Sequence, residues 1–288
     1  MERLILRHQN QAIELANQPP IRLLSIDGSG IENTNINTAS SANQDGVSYM
    51  DTTLGAGAIT LQLAIIANSR EEIFTHRSNL LTILNPKNGL ITLEYYIPSE
   101  GDEVRIAKVV PDMVTFPSGR GNRVPGSFQR VVVTLLHTSN VWTAAEQQSQ
   151  DFTGLMGGLE FPMELGELHF SEIVDVDITP VYHGGNMATP VKLVLQGTAT
   201  KPITITNQTT DESIIINRDM TNDKIIIDTT RGQVQVMLDG IGSIFGDVDP
   251  TSAFFYLAPG LNNIGYTSGA EAEPVSLTLS WYNTYIGV

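Results

Sequence analysis

Hydrophobic and polar residues alternate along much of this chain, and a period of two is typical of half-buried β-strands. In the clearest run, Ile59, Leu61, Leu63 and Ile65 are separated by single residues. Shorter apolar runs predict strands at residues 4–6, 13–15, 21–26, 91–97, 104–106 and 131–135. The first two of these flank a Gln-Asn-Gln turn and predict an opening hairpin.

One segment, from Ser69 to Leu84, instead has the spacing of an amphipathic helix. Ser69 and Glu72 fit a capping box, in which the serine side chain accepts from the Glu72 N–H and the glutamate reaches back to the start of the helix. Offsets of seven, eight and eleven residues predict one apolar face, formed by Ile73, Leu80, Leu81 and Leu84. Pro86 ends the helix, because the residue before a proline is pushed out of the helical region.

Two long segments lack these patterns and are predicted to be loops. Residues 29–53 are rich in Ser, Asn, Thr and Gly, which indicates an exposed loop with marginal strand content. Residues 111–127 combine several prolines and glycines with Arg120 and Arg123, which indicates a long basic hairpin loop. Loops of that length are usually functional or disordered, and Arg120 and Arg123 are therefore candidates for contacts between copies of the chain.

From Glu172 onward the pattern is entirely β. Strands are predicted at residues 191–197, 201–207, 212–217, 224–228, 232–238, 253–257, 261–267 and 274–283, with turn signals between them. Many short strands at regular spacing are typical of a sandwich or a jelly roll. The preceding residues 141–175 contain no Lys or Arg and seven acidic residues, which indicates a connector that lies over a surface.

Charge is distributed unevenly over the 288 residues, whose net charge is −15. Residues 1–140 hold 11 basic and 13 acidic residues, a balance of −2, and the other 5 basic and 18 acidic residues leave −13 for the rest. Like-charged copies repel one another, so the near-neutral N-terminal half is the better candidate for self-association. An acidic chain is not expected to bind nucleic acid through its phosphates, although it could enclose DNA.

The sequence offers little for catalysis. It contains no cysteine, which excludes disulfides and thiolate chemistry. Its five histidines lack the spacing of a metal site. Ser139 and His137 are predicted to face opposite sides of a strand, which argues against a catalytic triad. We therefore expect no catalytic residue, no metal and no cofactor.

Other side chains that suggest ligand sites have simpler interpretations. The pairs Asp175/Asp177 and Asp247/Asp249 lack the density of ligands that calcium requires and are predicted to be solvated carboxylates. Trp142 and Trp281 could stack on sugars, but packing in a core is the more common role of tryptophan. We also expect neither a signal peptide nor a transmembrane span.

Two short segments organise the C-terminal half. Residues 224–230 form a β-branched run that ends in Asp228 and two threonines, and Asp228 is predicted to accept hydrogen bonds from the N–H groups of the following turn. In residues 255–262, Pro259 presets φ and Gly260 permits a positive φ, as a tight turn before Asn262 requires. Together they resemble the C-terminal domain of siphophage distal tail (Dit) proteins, where a strand ending in Ile-Asp-Thr precedes a hairpin and a Leu-x-Pro-Gly-x-Asn turn precedes the final strands.

The N-terminal half also resembles this family, in the order of an Asp-Gly pair, a strand, a helix that ends at a proline, and paired strands. The resemblance implies a mainly β chain of two domains. These are an N-terminal β-sandwich with one inserted α-helix at residues 1–142 and a galectin-like β-sandwich or jelly roll at residues 173–288. An acidic connector at residues 143–172 would join them.

The resemblance further implies a structural virion protein of the phage tail tip, assembled in the host cytoplasm, and not an enzyme. Its N-terminal domains would form a homohexameric ring that continues the tail tube as a channel for DNA. Its partners would be the tail tube protein, the tail tip protein and receptor-binding proteins, without sequence-specific nucleic acid binding or membrane insertion. The alternative is a carbohydrate-binding module, because galectin-like sandwiches commonly bind sugars, although a fold does not settle a function.

Overall fold

The computed structural model describes residues 3–31, 33–98, 103–153, 177–270 and 275–288. The chain forms two compact units: unit 1 comprises Met1–Ala145 and Tyr285–Val288, and unit 2 comprises Glu146–Thr284. Strands dominate both units, and the described residues contain a single α-helix. The predicted fold class, mainly β with two domains and one helix, is confirmed. Within the described ranges, no helix is long and apolar enough to span a bilayer.

The elements of unit 1 coincide with the alternating runs of the sequence. The strands are β1 Arg3–His8, β2 Gln11–Leu15, β3 Ile21–Asp27, β4 Thr34–Ala39, β5 Ser48–Leu54, β6 Gly57–Ile66, β7 Ile91–Tyr96, β8 Val104–Thr115, β9 Arg123–Val124, β10 Phe128–His137 and β11 Trp142–Thr153, and the helix is α1 Arg70–Ile83. Strand β11 begins in unit 1 and continues into unit 2.

Seven strands of unit 1 curl into an almost closed barrel. Antiparallel pairing links them in the order β2-β1-β7-β8-β10-β6-β3. A parallel bridge from Ala16 to Arg22 then connects the end of β2 to β3. Alternate side chains of each strand form a continuous apolar core, which includes Leu4, Leu6, Ile59, Leu61, Leu63, Ile65, Val131, Val133 and Leu135. Burial of these side chains is the main source of stability for the unit.

Helix α1 begins as the sequence predicts. The Ser69 hydroxyl accepts from the Glu72 N–H at 3.1 Å, and the Glu72 carboxylate accepts from the Asn68 N–H at 2.9 Å. The buried face differs from the predicted stripe at one position, because Leu81 is 44% exposed whereas Ile83 is buried. Ile73, Leu80 and Leu84 are buried as expected. The helix packs on strands β1, β2 and β6.

Both predicted loops of unit 1 contain more strand than expected. Residues 34–54 form a hairpin in which, among the described strands, β4 pairs with β5 alone. Strand β8 extends to Thr115, so Pro111 lies within a strand, where it is buried. The fully buried residues of β8 are Ala107 and Val109.

The last residues of the chain return to unit 1. The Arg105 guanidinium stacks 3.7 Å from the centre of the Tyr285 ring and donates to the Gly287 carbonyl at 2.7 Å. The Val288 N–H donates to the Ser29 carbonyl at 3.1 Å. Unit 1 is therefore built from two separate stretches of sequence, whereas the sequence placed residues 285–288 in the C-terminal domain. Of the proposed connector at residues 143–172, residues 143–153 belong to β11 and the remainder lies outside the described residues.

Unit 2 is a β-sandwich of two main antiparallel sheets. Its further strands are β12 Asp177–His183, β13 Thr189–Pro190, β14 Lys192–Ala199, β15 Ile203–Asn207, β16 Glu212–Ile216, β17 Met220–Asp228, β18 Gln235–Leu238, β19 Gly242–Ser243, β20 Tyr256–Leu257, β21 Gly260–Thr267 and β22 Val275–Tyr285. One sheet contains the order β19-β18-β17-β14-β22, and the other has the order β12-β21-β15-β16. The predicted C-terminal strands match these elements to within a few residues at each end.

The core of unit 2 lies between these sheets. One sheet contributes Leu193, Leu195, Ile225, Ile227, Leu277 and Leu279, and the other contributes Ile203, Ile205, Ile214, Ile216 and Ile264. The short strands β13 and β20 pair with each other and carry Leu257 into the same core. The β-branched run that ends at Asp228 is thus a central strand with alternate residues fully buried, as its composition indicates.

Candidate assembly interface

The loop that carries Arg120 and Arg123 is held at several points. It comprises residues 116–127, and within it the Asn122 carbonyl accepts from the Arg130 N–H at 2.8 Å. The Gln129 side chain donates to the Pro117 carbonyl at 2.9 Å. Arg123 pairs with Gln129 as part of β9, whereas Arg120 lies exposed in the preceding turn. Neither guanidinium has an ion-pair partner among the described residues.

The same loop runs beside the N-terminal end of α1. The Ala67 N–H donates to the Ser127 carbonyl at 3.1 Å. On the helix, the Arg77 guanidinium lies 4.1 Å from the centre of the Phe116 ring and 5.1 Å from that of Phe74. Such cation–π contacts hold a guanidinium in place while its N–H groups stay available. We refer to the set Arg70, Phe74, Arg77, Phe116, Arg120 and Arg123 as the arginine surface.

The hairpin formed by β4 and β5 is exposed along its whole length. Every residue from 34 to 53 is exposed, including Ile36 (61%), Tyr49 (65%) and Met50 (65%). The Gln44 side chain accepts from the Ser41 N–H at 3.0 Å and donates to the Ser48 hydroxyl at 3.0 Å, which orders the loop that joins the strands. An isolated two-stranded hairpin is at best marginally stable in water, so an exposed one is a candidate for contact with a partner.

The two faces of this hairpin differ in character. Cross-strand neighbours share a face, and one face carries the pairs Thr34/Leu54, Ile36/Thr52 and Thr38/Tyr49. The opposite face carries Asn35/Thr53, Asn37/Asp51 and Ala39/Ser48. The first face is therefore apolar with threonine methyl groups, and the second is polar. Residues 34–54 contain two acidic residues, Asp45 and Asp51, and no Lys or Arg.

In unit 2, Asp228 and the residue after it hold the end of β17. The Asp228 carboxylate accepts from the Thr230 N–H at 2.9 Å. The hydroxyl of Thr229, which is fully buried, accepts from the Val191 N–H at 2.9 Å and lies 3.2 Å from the Val191 carbonyl. Both side chains thus serve the backbone of this turn, and neither is positioned for chemistry.

The Pro259-Gly260 turn is closed by Asn262. Gly260 has φ +93°, a conformation that disfavours residues with a Cβ. The Asn262 side chain is fully buried, accepts from the Ala258 N–H at 2.9 Å and donates to the Ala258 carbonyl at 2.8 Å. It also accepts from the buried Asn207 amide at 3.3 Å. The N–H and carbonyl of the half-buried Ala258 are thereby satisfied by Asn262, which is itself held by Asn207, an asparagine far away in sequence.

Gly260→Val is expected to destabilise unit 2 by about 1–2 kcal/mol through backbone strain alone. A Cβ at this position meets no atom within 4 Å, so steric overlap with neighbouring residues does not contribute. Gly246→Val is a matched control, because Gly246 also has open space around it but does not need a positive φ. Urea unfolding of both variants measures the difference, and an equal loss at the two positions, or an equal loss in unit 1, would contradict the expectation.

The catalytic and metal-site candidates do not form an active site. Ser139 Oγ lies 3.5 Å from His137 Nε2, so the prediction that they face opposite sides is wrong. Both side chains, however, contact the Val141 carbonyl, and no acidic third member is present among their described contacts. Burial lowers the pKa of His137. A cleft of about 630 Å³ beside the β1–β2 turn is lined by His8 and by amide and hydroxyl side chains, without a carboxylate.

The acidic and aromatic ligand candidates have structural roles. Asp249 accepts from the Thr251 N–H and hydroxyl, which lowers its pKa, and Asp247 pairs with Arg218 at 3.0 Å. Trp142 and Trp281 are buried, so neither offers a ring face to a sugar. The described residues contain no group of three or more His, Cys, Asp or Glu that could hold a metal ion. Asp175 and the side chain of Asp177 lie outside the described residues.

Several interface candidates were missed from the sequence. Arg70, Phe74 and Arg77 are spaced by four and three residues, so they share one helix face, and this signal was present in the sequence. The fold adds the loop residue Phe116 to that face. The exposed hairpin was missed because its strands have no buried side and therefore lack a long apolar alternation.

Comparisons with known proteins assign both halves of the chain. A model of the siphovirus-type tail component, C-terminal domain, matches residues 184–285, and a model of the phage tail protein RIFT-related domain matches residues 10–136. The crystal structure of the Dit protein of phage SPP1, described as a hub of the adsorption apparatus, is similar with a TM-score of 0.65 and 12% identity over 98% of both chains. A chain of the phage P2 baseplate in its activated conformation is similar with a TM-score of 0.50 and 13% identity, over 97% of this chain and 98% of that one. No curated protein sequence matches.

Proposed function

The chain belongs to the siphophage distal tail (Dit) family, a phage tail component, and from this membership we propose that it is the hub that joins the tail tube to the tail tip. The observation that carries the proposal is the match of two family models, in the expected order, to most of the chain. In this role the protein binds the tail tube protein on one side and the tail tip and receptor-binding proteins on the other. It works by assembly and by enclosing a channel for DNA.

The proposed assembly is a homohexameric ring formed by the N-terminal units. Closed rings of identical copies require two different surfaces on each copy that fit each other. The near-neutral charge of residues 1–140, −2 against −13 for the rest, supports contact through this half. Arg120 and Arg123, exposed or half-exposed on an anchored loop, are proposed to donate to carboxylates of the neighbouring copy.

Negative-stain images of the purified full-length protein test the proposed function directly. We expect ring-shaped particles with six-fold symmetry and a central channel. Light scattering after size exclusion would give the mass of the same particles. A monomer at every concentration tested would contradict self-assembly of the ring.

Arg120→Ala combined with Arg123→Ala is expected to shift the ring toward monomer, because it removes two charge-assisted hydrogen-bond donors per contact. The loop should keep its shape, since its anchors are backbone groups and the Gln129 side chain. Arg22→Ala is the matched control, because Arg22 is an exposed arginine of the same unit outside the loop. Light scattering at several salt concentrations measures the shift, and raised salt should weaken the wild-type ring as well. Equal behaviour of the loop variant and the control would remove Arg120 and Arg123 from the interface.

A further inference from the structure

Unit 1 carries two exposed surfaces of opposite character. The hairpin β4–β5 combines an apolar face with Asp45 and Asp51 and has no basic residue. The arginine surface combines four guanidinium groups with the exposed ring of Phe74 and the half-buried ring of Phe116. The apolar face of the hairpin and the Asp45 carboxylate in its loop thus correspond to the aromatic rings and arginines of the other surface, whereas Asp51 lies on the opposite, polar face.

The arginines of this surface lack acidic partners, in contrast to Arg3, Arg7 and Arg105 of the same unit. Arg3, Arg7 and Arg105 form ion pairs with Glu14, Glu94 and Glu103 at 2.8, 2.8 and 3.2 Å. Within the described ranges, none of Arg70, Arg77, Arg120 and Arg123 has a carboxylate within ion-pair distance. Arg70 and Arg77 on α1, with Arg120 and Arg123 on the adjoining loop, thus offer four unpaired guanidinium groups to an acidic partner, in a protein of net charge −15.

The hairpin in turn lacks apolar contacts in its own copy. Residues 34–53 are all exposed, so they do not cover the arginine surface of the same chain. Its side chains Ile36 and Tyr49 are not buried by any described residue and can gain burial from a partner. The carboxylate of Asp45 has no hydrogen bond or ion pair among the described contacts and can accept from that partner.

We propose that the hairpin β4–β5 of one copy docks on the arginine surface of the next copy, and that this contact closes the ring. The inference rests on the proposed function and names the two surfaces that its ring requires. A second copy is the fitting partner because one chain supplies both complementary halves, and the contact is heterologous, as a closed ring needs. Tyr49 and Ile36 then lie against Phe74, while Asp45, in the loop between the two strands, accepts from the guanidinium groups.

A charge exchange tests the ionic part of this contact in the full-length protein. Asp45→Arg, and separately Arg70→Asp with Arg120→Asp, should each lower the association constant by about tenfold or more, because like charges then meet. Combining all three substitutions should restore most of the association. Arg22→Asp controls for the loss of an exposed arginine elsewhere in unit 1. If the combined variant does not recover association, the proposed pairing is wrong. If Arg70→Asp/Arg120→Asp abolishes binding of duplex DNA but leaves association unchanged, the arginine surface binds phosphate instead.

Disulfide trapping tests the apolar part of the contact. The sequence contains no cysteine, so any disulfide must join introduced residues. Oxidised Tyr49→Cys/Phe74→Cys should give a ladder of covalent oligomers without reductant, whereas an equal mixture of the two single variants should stop at dimers. Phe74→Cys/Ile241→Cys is the control, because Ile241 is 70% exposed but lies in unit 2. If light scattering gives the mass of a ring but the specific ladder is absent, the docking contact is wrong and the proposed hub function still stands. A wild-type monomer with no ladder at any concentration would overturn both.

Discussion

Asn262→Leu is expected to cost unit 2 roughly 2–6 kcal/mol of unfolding free energy, since each buried polar group left without a partner costs about 1–3 kcal/mol. Leucine has nearly the shape of asparagine but can neither donate nor accept. The substitution leaves the N–H and carbonyl of the half-buried Ala258 without the Asn262 side chain, whereas the Asn207 amide keeps the Tyr256 carbonyl as an acceptor. A loss of this size approaches the whole stability of a typical domain, so the variant unit should be largely unfolded or close to it.

Urea unfolding followed by tryptophan fluorescence measures this loss. In a Trp142→Phe background the remaining Trp281 is buried in unit 2 and reports on that unit alone. Asn263→Leu provides a closely matched control, because Asn263 is the next residue and its side chain is exposed. The control should remain within about 0.5 kcal/mol of the parent. Equal midpoints for the two variants would show that the asparagine network does not stabilise the turn.

Leu80→Ala is expected to destabilise unit 1 by about 2–5 kcal/mol, the usual cost of the cavity left by a fully buried leucine. Leu80 is completely buried where α1 packs against the barrel, and it belongs to the core cluster that contains Leu4, Leu6 and Ile59. The backbone of the helix should form normally, because alanine has the highest helix propensity. The expected loss of unfolding free energy therefore comes from lost core packing and not from a less stable helical backbone.

The neighbouring residue provides the control for this prediction. Leu81 is 44% exposed, so Leu81→Ala should change the unfolding free energy far less. A Trp281→Phe background leaves Trp142, which is buried in the core of unit 1, as the reporter. If both alanine variants lost the same stability, the assignment of the buried helix face would be incorrect.

Elements with one buried side were predictable from the sequence, because burial imposes a period on the side chains. The alternation of Ile59, Leu61, Leu63 and Ile65 reflects a strand whose inner face forms the barrel core. The capping box at Ser69 is a local signal that does not depend on the rest of the fold. The hairpin β4–β5 has no inner face, and its Asn, Ser and Thr residues are equally typical of a loop.

The candidate interface was only partly predictable, because its members are brought together by tertiary structure. Arg120 and Arg123 are evident in a segment rich in glycine and proline, but their neighbour α1 is more than 30 residues earlier in the chain. The pair Asn207 and Asn262 is separated by 55 positions, and nothing local marks either residue as buried. Leu81 shows that helical spacing alone does not decide burial, because a residue at the edge of an apolar stripe can be either buried in the core or exposed to solvent.

The return of residues 285–288 to unit 1 sets an order for folding during synthesis. The ribosome synthesises the whole of Glu146–Thr284 before the residues that pack against Arg105 and Ser29. Until Tyr285 covers its guanidinium, the Arg105 side chain stays without its stacking partner. The N-terminal unit, which the proposal places in the ring, can therefore be completed only after all of unit 2 has been synthesised.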